Sequence, residues 1–434
     1  MKIDKIYQLF QQSSGVCTDT RSLDKNQLFF ALKGPSFNGD DFALEAIKNG
    51  ASYAIVSEHC KDKNDKIIPV SDPLKTLQEL ARFHRDQCEI PVIGLTGSNG
   101  KTTTKELINH VLSIEYETLC TEGNLNNHIG VPLTLLRLQP SHEIAIIEMG
   151  ANHQGEIAEL CSIANPNLGL ITNFGKAHLE GFGGIEGVIK GKSELYQHLI
   201  HAGGVIFFNE EDSIQKEKLA DYDNRSSYGL VEKADVYLEL LQTAPTLTLQ
   251  WENLELSSSL FGKYNALNIA AAVAIASFFE VDSVSVQRSI MNYRAKQMRS
   301  EIRTINGKQL FLDAYNANPS SLKVSLETFK SLKWENTALV IGDMFELGEE
   351  ADKEHRAIVD LIIALGFDEV YLVGKHFQQT NHPFKGFETT ADLLDNFPES
   401  LRDKNIYLKA SRSMTLEKVL DQLEFTSLRT LHRF

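Results

Sequence analysis

Residues 94–104 read "GLTGSNGKTTT". The run before them, "IPVIGL" (90–95), has the composition of a buried strand, and Leu107, Ile108, Val111 and Leu112 after them fall on one face of a helix. A strand that turns through glycines into a helix aims backbone N–H groups and the positive helix end at one point, where phosphate oxygens bind. The standard loop of this kind is G-x-x-x-x-G-K-[ST]. Gly100, Lys101 and Thr102 supply its second half, but Leu95 stands where the first glycine belongs and Gly94 lies one place earlier. The strict pattern fails by one residue while the strand–loop–helix context holds. In this reading the loop cradles phosphates, Lys101 reaches the β- and γ-phosphates, and the Thr102 hydroxyl ligates Mg²⁺. The bland alternative is a tight turn between two elements.

The same grammar runs through the chain. "QLFFAL" (27–32) and "SYAIV" (52–56) read as strands around a helix, "DDFALEAIKNG" (40–50), that stops at Gly50. "EIAIIEMG" (143–150), "LGLITNFG" (168–175) and "GGVIFFN" (203–209) are apolar runs that end at polar or glycine residues. Beyond residue 298, "QLFLDA", "TALVIGDM", "EVYLVGK" and "NIYLKAS" read as four more strands. Strands alternating with helices predict an α/β protein with mostly parallel sheets, whose ligands gather at the strands' C-terminal ends. "PTLTLQWENLELS" (245–257) alternates strictly about Glu252-Asn253 and predicts a small antiparallel addition. Three α/β domains are expected, 1–86, 87–297 and 298–434, because the 434 residues exceed what one core organises.

Bulk properties exclude some classes. A net charge of −15 disfavours nucleic-acid binding through the general field, though a local glycine loop can still hold phosphate. Five scattered cysteines without a CxxC pair oppose a zinc or disulfide framework and fit a reducing cytoplasm. The start, "MKIDKIYQLF", lacks the apolar core of a signal peptide, and "ALNIAAAVAIASFF" (266–279) is too short to span a bilayer and reads as a buried helix. A cytoplasmic protein without a membrane span is expected.

Glu148 ends an apolar run. Alone it reads as a strand-end carboxylate facing solvent; beside a phosphate loop it reads as a Mg²⁺ ligand, since that ion takes hard oxygens. His178 in "NFGKAHLEGFG" and Lys192 in "KGKSELY" read by themselves as a surface histidine and a solvated lysine.

"GLTGSNGKTTTKE" resembles the phosphate loop of the Mur ligases, ATP-dependent amide ligases of peptidoglycan synthesis related to folylpolyglutamate synthase, and that family's loop has this spacing. "NLNNHIGVPLTLL" (124–136), "EMGANHQGEI" (148–157), "DAYNANPSS" (313–321) and "GDMFELGEE" (342–350) resemble the branch that adds D-Ala-D-Ala. The resemblance implies an N-terminal UDP-sugar-binding domain, a central ATP-binding P-loop domain, and a C-terminal Rossmann-like domain that closes on ATP and the incoming dipeptide. It implies that Gly97, Ser98, Asn99, Gly100, Lys101, Thr102 and Thr103 hold the ATP phosphates. Thr102 and Glu148 would bind one Mg²⁺; His178 and Lys192 would serve a second, with the lysine carbamylated into an anionic oxygen ligand. Asn265 and Asn268 match the segment near adenine, and Arg299 and Asp313 the third domain's contribution to the nucleotide. Thr20 and Arg21 in "TDTRS", with Asn38 and Asp40 in "GPSFNGDDF", match the segments that hold the UDP-sugar. Asn126, Asn127, Asn316 and Asn318 would face the remaining substrate, and Lys101, His178, Lys192 and Arg299 would carry catalysis. Three departures from the family pattern stand out: Tyr264 for a frequent histidine, His128 for a frequent acid, and Gly191 and Ser193 beside Lys192 for the usual alanine and glycine.

The implied reaction joins D-Ala-D-Ala to the carboxylate of UDP-N-acetylmuramoyl-tripeptide through an acyl phosphate, by a monomer using ATP and Mg²⁺. Three rivals share parts of the pattern. A sister ligase would add another amino acid or glutamate. A P-loop kinase would need no amine. A nucleotide-gated binding module would turn nothing over.

Overall fold

The computed structural model describes residues 2–244, 246–295 and 298–424. Pro245 at the start of the expected antiparallel run, residue 297 at the expected second joint and residues 425–434 of the expected third domain lie outside the described residues.

The strand before the glycine loop, Val92–Thr96, is buried at all five positions because it sits inside a seven-stranded parallel sheet. The spatial order is Val236–Tyr237, Arg225–Gly229, Val205–Asn209, Leu168–Ile171, Val92–Thr96, Ile144–Glu148, Thr118–Cys120. Leu95 pairs with Glu148 on one side and Thr96 with Ile171 on the other, so three strands end side by side beneath the loop. The helix Lys101–Leu112 buries Leu107, Ile108, Val111 and Leu112 completely. It packs on the helix Lys263–Phe278, built from the alanine-rich run and buried around most of its circumference. That run is a core helix of the central unit, as its length and Asn268 predict.

Before this unit lies a four-stranded parallel sheet in simple order, Val16–Cys17, Leu28–Phe30, Tyr53–Ser57 and Ile67–Val70. The helix that follows, Pro73–Asp86, starts at an Asp72 cap. Although it closes the expected first domain, it docks on the central unit: Arg82 donates to Ser162 O at 2.8 Å, and Arg85 donates to Ala164 O at 3.1 Å and Asn165 O at 3.2 Å. The expected antiparallel hairpin forms as Leu247–Trp251 and Leu254–Ser258, with a third strand, Glu239–Gln242, alongside.

The last sheet has six strands where four were expected, in the order Glu301–Ile305, Lys308–Leu312, Asn405–Lys409, Thr337–Gly342, Val370–Val373, Lys385–Phe387. Only the first pair is antiparallel. The two unforeseen strands are its edges. "EIRTI" is half-exposed and mixed in polarity, and "KGF" has three residues, so neither carries the apolar signal of a central strand. Among the described residues no helix is long and apolar enough to cross a membrane, and the five cysteines are free thiols.

Leu107 is fully buried between the loop's helix and the alanine-rich helix. Leu107→Ala is expected to destabilise the central unit by about 2–5 kcal/mol, read as a lowered denaturant midpoint; an unchanged midpoint contradicts this packing.

Candidate active site

The glycine loop takes its shape from lack of room. Gly97 has φ +147°, and a Cβ there would lie 1.9 Å from Thr172 Oγ1. Gly100 caps the helix at φ +81°, with Asn268 Oδ1 2.8 Å from where its Cβ would be. Residues 172–175, at the end of the neighbouring strand, brace the loop. Ser98 N donates to Asn173 O at 3.0 Å, Ser98 Oγ to Gly175 O at 2.7 Å, and Thr172 Oγ1 to Asn99 O at 2.6 Å. On the other side, Thr104 Oγ1 donates to Asn268 Oδ1 at 3.1 Å, Asn268 Nδ2 to Asn265 Oδ1 at 3.0 Å, and Asn265 Nδ2 to Phe261 O at 2.8 Å. Asn265 and Asn268, expected near adenine, line the cleft and also tie the alanine-rich helix to the loop's helix.

A cavity of about 840 Å³ opens over this loop, walled by the central unit and the last one. Ser98 to Thr103, Asn126, Asn127, Glu148, His178, Asn265, Asn268, Arg299, Asp313, Asn316 and Asn318 all line it. Residues spread over more than two hundred positions thus converge on one cleft. Gly97 is not among the lining residues. Thr20, Arg21, Asn38 and Asp40 lie apart, around the C-terminal edge of the first sheet, where ligands of a parallel sheet gather. There Arg21 pairs with Asp19 at 2.6 Å, and Asp40 turns inward to accept from Ser57 N at 2.9 Å and from the Ser57 hydroxyl.

Glu148 is 1% exposed. Its Oε1 accepts from Asn126 Nδ2 at 2.8 Å and from Thr102 Oγ1 at 3.3 Å, while Oε2 is buried without a hydrogen-bond partner. A buried carboxylate oxygen that no hydrogen bond satisfies, next to a threonine hydroxyl, is a hard-oxygen donor set of the kind Mg²⁺ takes. Among the described residues no three His, Cys, Asp or Glu side chains cluster as a metal centre, so an ion here would draw further ligands from phosphate and water.

Lys101 Nζ donates to Gly97 O at 2.8 Å. Burial lowers its pKa, Glu148 opposes that, and Arg299 adds to it. The expected pair His178 and Lys192 is not brought together in the cavity wall. His178 lines the cavity, in a left-handed conformation, and its Nδ1 pairs with Glu346 of the last unit. Lys192 is 1% exposed, lies outside the lining, and has Nζ 5.2 Å from the Phe182 ring centroid. Burial, then the nearby Lys101, push its pKa far below the usual lysine value. It is therefore not the solvated lysine that its local sequence suggests. Asn127 Oδ1 accepts from Ile129 N and Gly130 N, capping the helix Gly130–Leu135. Asn318 caps Pro319–Ser331 and donates to Asn99 Oδ1 at 2.7 Å, across the seam between units.

Sequence reading missed several participants. Lys176 N donates to Ser320 Oγ at 2.8 Å, and Lys176 Nζ pairs with Glu354 at 2.5 Å. With His178–Glu346 these contacts fasten the loop 174–180 to the last unit. Lys409 and Tyr315 also line the cleft; a lysine closing the apolar run "NIYLK" was the one available signal. A second cavity, about 480 Å³, lies at the C-terminal ends of the last sheet and includes Asp343, Phe345, Lys375 and His376, whose Nδ1 is buried without a partner. Ser411 Oγ stands between the cavities, accepting from Phe345 N at 3.0 Å and donating to Ala317 O at 3.5 Å.

Comparisons with known proteins agree with this architecture. Residues 12–85, 95–276 and 298–423 match the family models "Mur ligase family, catalytic domain", "Mur ligase middle domain" and "Mur ligase, glutamate ligase domain". The UDP-N-acetylmuramoyl-tripeptide–D-alanyl-D-alanine ligase of Bacillus subtilis (strain 168) is 33% identical, over 94% of this chain and 93% of its own. A crystal structure of MurF from Acinetobacter baumannii superposes with a TM-score of 0.85 at 30% identity, covering 96% of this chain and 98% of that one. MurF ligase from Thermotoga maritima in complex with ADP gives 0.84 at 27% identity, with the same coverage.

The His178–Glu346 pairing lowers the Glu346 pKa below the usual 4.5. A depressed carboxylate pKa contributes stability above the ordinary value and loses it as pH falls through the lower, folded one. Glu346→Gln is therefore expected to lower the thermal midpoint at neutral pH, with the difference from wild type shrinking below about pH 4.5. A difference that is constant across that range contradicts the contact.

Proposed function

This chain belongs to the Mur ligase family, and on that premise we propose that it joins D-Ala-D-Ala to the carboxylate of UDP-N-acetylmuramoyl-tripeptide, with ATP, in peptidoglycan precursor synthesis. The observation that carries the reading is the single cleft in which the glycine loop, Glu148 and Arg299 face one another across the seam between the last two units.

Amide formation from a carboxylate is slow because oxide is a poor leaving group. Transfer of the γ-phosphoryl group from ATP to the substrate carboxylate yields an acyl phosphate and ADP; the dipeptide amine then attacks the carbonyl and phosphate leaves. The first step requires positioning and charge neutralisation more than covalent help. The N–H groups at the start of the helix Lys101–Leu112 supply fixed positive dipoles. Lys101 and Arg299 supply two cations; burial, and to a lesser degree Arg299, lowers the Lys101 pKa. Thr102 and Glu148 would hold Mg²⁺, which when bound screens phosphate charge. Lys192 is desolvated next to another cation, conditions that favour a neutral amine, the form in which a lysine is carbamylated.

The three units are read as the domains 1–86, 87–297 and 298–434, with Thr20, Arg21, Asn38 and Asp40 on the UDP-sugar. We read the second cavity as the place of the dipeptide: Lys375 and the unpartnered His376 Nδ1 suit its carboxylate. A cytoplasmic monomer fits a soluble nucleotide-linked substrate.

The test is phosphate release from ATP with UDP-N-acetylmuramoyl-tripeptide, with and without D-Ala-D-Ala. Release is expected only when both are present; a phosphorylated product without amine, or triggering by a different amino acid, overturns the reading. Lys101→Ala is expected to lower kcat by about 10²–10³-fold. Lys375→Ala is expected to raise KM for the dipeptide while leaving KM for ATP unchanged, and equal KM values for both proteins would remove the dipeptide from that cavity.

A further inference from the structure

The segment that enters the last unit has an unusual backbone. Met298 and Ser300 both have φ of +54°, a left-handed conformation that residues with side chains keep only where their surroundings hold them. Arg299 stands between them. Its guanidinium carbon is 3.5 Å from the Tyr315 ring centroid, and its Nε is buried without a hydrogen-bond partner. Three contacts hold the segment. Met298 N donates to Glu301 Oε2 at 3.1 Å, Ser300 N donates to Asp313 Oδ1 at 3.2 Å, and the Ser300 and Tyr264 hydroxyls are 2.7 Å apart.

Asp313 is held in turn. Its Oδ2 accepts from Ser325 Oγ at 2.8 Å and from Lys409 Nζ at 2.6 Å. Lys409 is 2% exposed. Besides the carboxylate, Nζ donates to Asp313 O at 3.2 Å and to Asn316 O at 3.1 Å. An ammonium has three protons, and all three are used on residues 313–316. Lys409 therefore borders the cleft without a donor left for a ligand. A buried ion pair is also a weak source of net stability, so placement explains the lysine better than stability does.

We infer that Lys409 is a positioning residue for the phosphoryl-transfer step: it fixes Asp313, Asp313 fixes the Ser300 amide, and the left-handed linker so held presents Arg299 to the phosphate end of the cleft. Lys409 thus acts through Arg299 and touches no substrate. The inference rests on the ligase reading above.

The test is steady-state turnover of ATP, UDP-N-acetylmuramoyl-tripeptide and D-Ala-D-Ala by Lys409→Met, made in the wild-type and in the Arg299→Ala background. In the wild-type background kcat is expected to fall about 10- to 100-fold, with KM for the UDP-linked substrate unchanged, and Lys409→Arg is expected to recover part of the loss. In the Arg299→Ala background the further loss is expected to be less than about threefold, because both changes remove one function. A kcat within about twofold of wild type, or an equal loss in both backgrounds, overturns the inference. If Lys409→Met does not fold, Asp313→Ala in the same two backgrounds reads the same coupling, with the same two outcomes. A wild type that fails to turn over defeats the ligase reading, and this inference with it; an active wild type with additive losses defeats the inference alone.

Discussion

The cleft depends on the close approach of backbone to side chain at the glycine loop. With Thr172 against Gly97 and Asn268 against Gly100, there is space for main chain and nothing more. Only glycine fits at these two left-handed positions, and the N–H groups of the first turn of the helix Lys101–Leu112 follow directly at the floor of the cleft. The braces come from segments far away in the chain, residues 172–175 and the helix Lys263–Phe278. The phosphate loop is thus a local motif whose rigidity is tertiary.

Around it the protein reverses its own electrostatic character. The chain carries a net charge of −15, yet Lys101 lies close enough to Arg299 to feel it and close enough to Lys192 to act on it, with Glu148 as a buried counter-charge to Lys101. Lys101 and Arg299 at the cleft suit an anionic reactant, and the low-dielectric surroundings strengthen each interaction beyond its value in water. The acidic exterior leaves that local field intact because charges beyond a Debye length are screened.

The second organising feature is the seam between the central and last units. Asn99–Asn318, Lys176–Ser320, Lys176–Glu354 and His178–Glu346 cross it, and the chain enters the last unit through Met298 and Ser300, both left-handed. These polar contacts are joined by an apolar one, Phe261 against Phe311 with ring centroids 6.3 Å apart, a mixture typical of an interface between domains of one chain.

Much of this was legible in the residues themselves. Buried parallel strands announce themselves as continuous apolar runs, the glycine loop as Gly-Lys-Thr between strand and helix, and the small hairpin as strict alternation, because each pattern is dictated by local period and burial. The half-polar edge strands Glu301–Ile305 and Lys385–Phe387 were not legible, since an edge has only one partner to satisfy. The likeness to a family marked Glu148, Arg299 and Asp313 as neighbours of the nucleotide. It did not tell that Asp313 spends its carboxylate on Lys409, Ser325 and Ser300, that Asn127 caps a helix, or that His178 reaches Glu346. The Asn127 cap aside, these partnerships join residues 12 to 168 positions apart. Sequence determined which elements form and where phosphate can sit, through periodicity and backbone freedom. Tertiary structure alone decided which charges meet, because burial and distance, the two quantities that set an ion's energy, exist only once the chain has packed.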